Sequence, residues 1–511
     1  MYNCFIELHH CITKGMYIQD VYSFARDGNE ESLRVALTHC SSTDSSTWYL
    51  DGSDDNANAI IASSSNGHIS CVRLLLHYGA DIESRTEKGS TPLYKAAANG
   101  HLDCIRELLD RHADIESKNN NGWSALLVAS QNGHVDCVRE LLNRHADIES
   151  KTSHGWSPLL VASAYGHVDC VRELLNRHAD IESKSSNGWT PLLIAIQRGH
   201  ADCVRELLDR DADIESKRDC GSTSLYIAAA NGHIDFTREL LDRHADTESK
   251  NNRGSSPLHI SAMKGHFDCV RELLDRHADI ESKNNDGWSA LLKACQSGRF
   301  DCVRELLDRH ADIESKNNDG WSPLFVAAQN GHVDCVRELL ERHADIESKN
   351  NDGWSPLFVA AQNDHVDCVR ELLDRGALLT DISSIKIRLR FKCKRMILAE
   401  VTHRSKRKTF DDFINTYIEY PLYKHLIYAT CYPTGNGQRS EPVVGWSRAE
   451  EVRDNYYYEE LLFNLHIGIA HVHSSTLDNT ITSSVNELAS SSNRTYSLMS
   501  IMAMELREYL F

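Results

Sequence analysis

"DGWSPLFVAAQNGHVDCVRELLERHADIESKNN", residues 319–351, is followed without a gap by "DGWSPLFVAAQNDHVDCVRELLDRGA", residues 352–377. The second stretch starts 33 residues after the first and repeats it almost letter for letter. The same phrase runs back through the chain. Gly-His falls at Gly67, Gly100, Gly133, Gly166, Gly199, Gly232, Gly265 and Gly331, while Gly298-Arg299 and Asp364-His365 fill the two remaining places. No insertion breaks the step across ten copies. A chain built this way grows in one dimension, so its 511 residues need not divide into the roughly three domains that length alone suggests.

Each copy carries the local signals of two helices. Ser322 is a good N-cap, and Pro323 follows at the first helical position, where its missing N–H costs nothing. "PLFVAAQN" is then a short helix whose small Ala327 and Ala328 admit a close neighbour, and Gly331 ends it in the left-handed conformation. "VDCVRELLERH" places Val333, Val336 and Leu340 on one stripe, with Cys335 and Leu339 beside it. On its outer face Glu338 and Arg342 stand at i,i+4. "ADIESKNNDG" is rich in turn formers and reads as a finger leading to the next copy. One helix pair cannot bury this stripe alone, so the copies must stack.

A 33-residue period, "TPL" or "SPL" before one helix and "LLDRHAD" closing the next, resembles the ankyrin repeat. The resemblance covers residues 58–379. It implies an all-α solenoid of about eleven helix-turn-helix units with finger hairpins. The expected organisation is an N-terminal segment (1–18), a degenerate capping repeat with a loop insertion (19–57), the repeat array (58–380), a small, mainly helical C-terminal module of no recognised family (381–475), and a Ser/Thr-rich linker with a terminal helix (476–511).

The chain departs from the family pattern after the second helix, where the family usually has Gly. Here the position holds His112, His145, His178, His244, His277, His310 and His343, with Asp211 once and Gly only at Gly79 and Gly376. His and Asp reach the left-handed region more readily than most side chains, at a strain of roughly 1 kcal/mol. Such a ladder invites a metal reading. Successive copies stand about 10 Å apart, however, whereas zinc needs nitrogens at about 2.0–2.1 Å from one centre. The His of "TPLH" survives as His259 but is Leu160, Leu193, Phe325 or Phe358 elsewhere, which exchanges a hydrogen bond for apolar contact. The Asn that often follows the family's "GAD" is Glu here, as at Glu116, Glu149 and Glu314.

Nine of the 16 cysteines share one register: Cys71, Cys104, Cys137, Cys170, Cys203, Cys269, Cys302, Cys335 and Cys368. Phe236 takes that slot once, which marks it as an apolar core position. Neighbours one repeat apart exceed the ~7 Å Cα separation a disulfide tolerates. Buried, reduced thiols are expected, in the cytoplasm or alternatively the nucleus.

Because the copies are nearly identical, the residues that vary between them carry the specificity. One varying register follows the finger-tip Gly: Trp123, Trp156, Trp189, Trp288, Trp321 and Trp354, interrupted by Ser222 and Ser255. The other closes the first helix and includes Tyr165 and Arg198. In ankyrin proteins these regions line the groove that binds partners, and the resemblance implies the same use of these eight residues. The indoles can contact a partner, for which Trp is well suited, or staple neighbouring fingers. The sequence leaves both open.

The net charge of −19 argues against a nucleic-acid-binding body. Residues 1–376 hold 39 Lys and Arg against 59 Asp and Glu, which favours basic partners kinetically. No signal peptide and no apolar run of membrane-spanning length is visible. "IKIRLRFKCK" and "HRSKRK" (385–408) form a basic patch. His466, His471 and His473 cluster, but without the carboxylate of HExxH; no phosphate loop or GxSxG is present. The expectation is a non-catalytic scaffold for a protein partner, with no cofactor and no metal. The alternative is a substrate-recognition adaptor whose C-terminal segment recruits other machinery such as a ubiquitin ligase.

Overall fold

A computed structural model describes residues 18–40 and 58–378. Residues 1–17, 41–57 and 379–511 lie outside the described residues, and with them the expected loop insertion, C-terminal module, basic patch, linker and terminal helix. The described residues form 22 helices and no strand. They fall into two compact blocks. One comprises residues up to Ala294 together with Arg299–Asp312, and the other Cys295–Gly298 with the residues from Ile313 on.

Local chemistry sets each helix as the sequence predicts. The helix Pro158–Tyr165 starts where the Ser157 side chain accepts a hydrogen bond from the Leu160 N–H, with Pro158 at the first position. It stops at Gly166, whose φ of 80° turns the chain back. The partner helix Val168–Asn176 buries Cys170, Val171, Leu174 and Leu175. His178 then takes φ 63°. The same left-handed turn recurs at His112, His145, Asp211, His244, His277, His310 and His343, all with φ between 60° and 65°. The expectation for this position holds.

Within each block, first helices pack on the first helices of neighbouring repeats, and second helices pack on second helices. This completes the apolar stripe. Leu174 and its equivalents are fully buried, each contributing roughly 2 kcal/mol relative to exposure. Phe236 is buried in the cysteine register, and Leu160, Leu193, Phe325 and Phe358 are buried where the family has His.

Two polar ties recur along the stacks. The carboxylate of Glu149 accepts the Asp180 N–H at 2.8 Å, that of Glu182 the Asp213 N–H at 2.8 Å, and that of Glu314 the Asp345 N–H at 2.7 Å. Glu in place of the family's Asn is therefore a link from one finger base to the next. The second tie is the histidine of Gly-His. His167 Nε2 donates to the Gln131 carbonyl at 2.8 Å, and His200 Nε2 to the Ala164 carbonyl at 3.0 Å. Its ring lies against the Gly of the preceding repeat: a Cβ on Gly133 would stand 2.5 Å from His167 Nδ1. Where Arg299 replaces His, its Nε donates to the Met263 carbonyl at 3.3 Å instead. His233 departs from the pattern. Its ring tilts against Phe236, 5.2 Å between centroids, because the bulk of Phe stands where the other repeats have Cys.

Candidate functional site

Three kinds of surface flank the stacked core: the outer face of the second helices, the fingers, and the exposed ends of the first helices. Their chemistry differs sharply.

The second helices carry a dense ion-pair network. Glu173 receives Arg139 Nε at 3.2 Å from the preceding repeat and Arg177 Nε at 3.2 Å from its own helix. Glu140 and Glu272 are held in the same way. The expected Glu338–Arg342 pair is present at 2.7 Å. Among the described residues most of the acid stands on these faces and on the fingers, from Glu149 at a base to Asp219 and Asp286 at the tips. The ten first helices from Ala59–Ser65 to Pro356–Gln362 contain no Asp or Glu at all, and their charged residues, Lys95, Arg198, Lys264 and Lys293, are all cations. Net charge read from sequence therefore misrepresents the side on which specificity varies.

The six tryptophans close the finger hairpins. Asn119 N–H donates to the Trp123 carbonyl, and the Trp123 N–H to Asn119 Oδ1, each at 3.0 Å. Trp123, Trp156, Trp189, Trp321 and Trp354 are part-buried, whereas Trp288 is only 8% exposed. Five of the indoles have neighbours close by. Trp321 lies 5.7 Å from the Phe325 ring and Trp354 5.3 Å from Phe358. Trp156 and Trp189 pack against Leu160, Ala164 and Ile194. Lys293 Nζ sits 4.2 Å above Trp288, and Arg218 Cζ 3.7 Å above Trp189.

A second residue column explains where the indoles stop. Wherever the register holds Trp, the residue four places on is Leu or Phe: Leu127, Leu160, Leu193, Leu292, Phe325, Phe358. Wherever it holds Ser (Ser90, Ser222, Ser255), that residue is Tyr94, Tyr226 or His259. The polar-ended ring reaches toward the next finger: Tyr94 lies beside Asn119, Tyr226 beside Asn251, and His259 Nε2 donates to the Trp288 carbonyl at 2.8 Å. The two pairings are alternative ways to join a finger to the helix beneath it. Comparing the nine copies at these two columns reveals the coupling; reading either column alone does not.

The ends of the first helices are more open. Tyr165 is 51% exposed, and its hydroxyl accepts a bond from Gln131 Nε2 at 2.9 Å. Arg198 is exposed, next to Gln197, whose Nε2 donates to Asn231 Oδ1 at 3.2 Å. Tyr165 and Leu378 are the exposed large apolar side chains among the described residues. Tyr165, Arg198, Trp123, Trp156, Trp189 and Trp288 stand in the first block; Trp321 and Trp354 stand in the second.

The register cysteines are buried and free. Burial raises their thiols, Cys170 and Cys203 to about 12 and Cys137 to about 11. Cys220, at a finger tip, is exposed and free. Among the described residues no three His, Cys, Asp or Glu side chains are placed to hold a metal ion, and no helix is long and apolar enough to cross a membrane.

A family model described as ankyrin repeats (3 copies) matches the chain in overlapping stretches, residues 21–119, 60–152, 112–185, 145–218, 177–251, 225–317 and 310–383. No curated protein matches it.

Proposed function

From the premise that this chain belongs to the ankyrin-repeat family, whose repeats are generally protein–protein interaction modules, we propose that it is a non-catalytic scaffold. It holds a protein partner along the first-helix ends and finger tips. The observation that carries this reading is the contrast between registers. The shared cysteine, leucine, histidine and glutamate positions are buried or tied to a neighbouring repeat, while Tyr165 and Arg198, at the first-helix ends where the copies differ, face solvent.

Tyr165 supplies an amphipathic surface of the kind that anchors interfaces. The part-buried indoles of Trp123, Trp156 and Trp189 offer their outer edges beside it, and Trp321 and Trp354 do so in the second block. Trp288 contributes mainly by holding its finger. The adaptor alternative rests on residues 381–511, outside the described residues.

The test is capture of partners from lysate by the full chain, followed by Tyr165→Ala with Arg198→Ala. Loss of the captured protein at an unchanged melting temperature is the expected outcome. Undiminished capture would remove the first-helix ends from the interface.

A further inference from the structure

Arginines on the second helices are almost all engaged with carboxylates, as Arg139, Arg172, Arg238 and Arg276 show. On the fingers and first helices of the first block cations stand outside that network, Arg198, Arg218, Arg253 and Lys264 among them. Arg198, Arg218, Arg253 and Lys264 form no ion pair among the described residues. Arg198, Arg253 and Lys264 are exposed. Arg218 is part-buried, its guanidinium lies 3.7 Å over the Trp189 ring, and its Nε is buried without a hydrogen-bond acceptor.

Comparison between copies shows that these cations are additions to the repeat. Arg218 stands where other fingers have Asn119, Thr152, Ser185 or Asn251. Arg253 stands where they have Asn121, Asn187, Asp286 or Asp319. The two fingers are adjacent, joined by the Asn252 N–H to the Cys220 carbonyl at 3.0 Å and by Asn252 Nδ2 to the Asp219 carbonyl at 2.8 Å. Lys293, over Trp288, feels the opposite charge of Asp286 first and the like charge of Arg253 second. Arg218 and Arg253, neither of them in an ion pair among the described residues, are like charges on neighbouring repeats, and an anion between them removes the cost of their repulsion. The indole under Arg218 holds the planar fork in place for a bidentate acceptor.

We propose that the adjacent fingers at residues 217–222 and 250–255, led by Arg218 and Arg253, form a docking strip for an acidic, carboxylate-bearing peptide segment of the partner. This rests on the scaffold reading above and gives the partner a charge opposite to the one that whole-chain composition suggests. Two adjacent fingers about 10 Å apart match about three to six residues of extended chain at about 3.3 Å per residue. Guanidinium–carboxylate contacts on an exposed strip weaken steeply with salt.

The experiment titrates the full chain into fluorescein-labelled peptides, twelve residues each, alternating Ser with Glu, Gln, Lys or phosphoserine, and a twelve-nucleotide single-stranded DNA. Variants are Arg218→Asn and Arg253→Asp combined, residues that the same registers already hold as Asn251 and Asp286, so the fold is preserved. The Glu peptide should bind at least tenfold more tightly than the Gln and Lys peptides, and the double variant should lose at least tenfold of that affinity. Equal binding of the Lys peptide, an unchanged affinity in the variant, or tight binding confined to the phosphoserine peptide or the DNA would overturn the proposal. If a captured partner is lost with Tyr165→Ala but kept by the Arg218/Arg253 variant, the scaffold reading stands and the acidic strip falls.

Discussion

The Nε2–H of His167 donates to the carbonyl oxygen of Gln131, 2.8 Å away and 36 residues earlier, while its ring rests on Gly133. One residue thus caps the step between two repeats, and the glycine opposite serves two ends: a left-handed turn at φ 76° and room for the ring. Gly133→Ala should cost about 2 kcal/mol, from the positive φ and the collision with His167. His167→Ala should cost about 1–2 kcal/mol, from the lost bond and the carbonyl left behind. Urea unfolding of the full chain, with hydrogen exchange locating the loss between these repeats, checks both.

The histidines after the second helices behave oppositely. His178 and His310 hold φ 63° and 65°, a conformation that glycine adopts without strain. His310→Gly should therefore leave stability level or raise it by up to about 1 kcal/mol. A clear fall in melting temperature would show that the imidazole contributes a specific contact.

His259 gives the stack an acid-sensitive point. Burial holds its imidazole neutral and pushes its pKa down to about 4, in spite of the bond to the Trp288 carbonyl. An unfolded histidine titrates near 6.5. The folded state thus binds fewer protons in that window, so this contribution is complete above pH 6.5 and is lost as pH falls toward 4. The lost stability is about 3 kcal/mol. His259→Leu, which copies Leu160 and Leu193, should gain by about that amount relative to the parent between pH 7 and pH 4. Parallel denaturation curves for parent and variant would show no such role.

The alternation of Trp–Leu with Ser–Tyr predicts coupling. Ser222→Trp alone should destabilise, since Tyr226 occupies the position that Leu takes beneath an indole. Adding Tyr226→Leu should recover at least about 1 kcal/mol, measured as the interaction energy of a double-mutant cycle. Additive effects would refute the pairing.

Thiol accessibility separates the cysteines. At pH 8 a maleimide should label Cys220 rapidly, because it is exposed and its thiol is lowered by Ser222 hydrogen bonds and the nearby Arg218 charge, against a smaller opposing effect than burial exerts in the core. Cys170 and Cys203, buried and raised to about 12, should stay unlabelled until the stack opens. Peptide mapping by mass spectrometry reads the difference, and rapid labelling of Cys170 would contradict the packing.

What the chain declares by itself is everything governed by neighbours within a turn or two. The 33-residue step is read by laying the copies side by side. The Ser-Pro starts, the glycine stops, the apolar stripe with its cysteine register and the left-handed histidines are set by residues a few places apart, and a single copy displays them. The tertiary structure decided what depends on partners 29 to 36 residues away: the histidine and glutamate ties, the exchange of an indole for a polar-ended ring, and the separation of acid on the second helices from cations on the first. Those properties arise only when one repeat is stacked on the next, because a side chain's face and its cross-repeat acceptor come into being together with that contact.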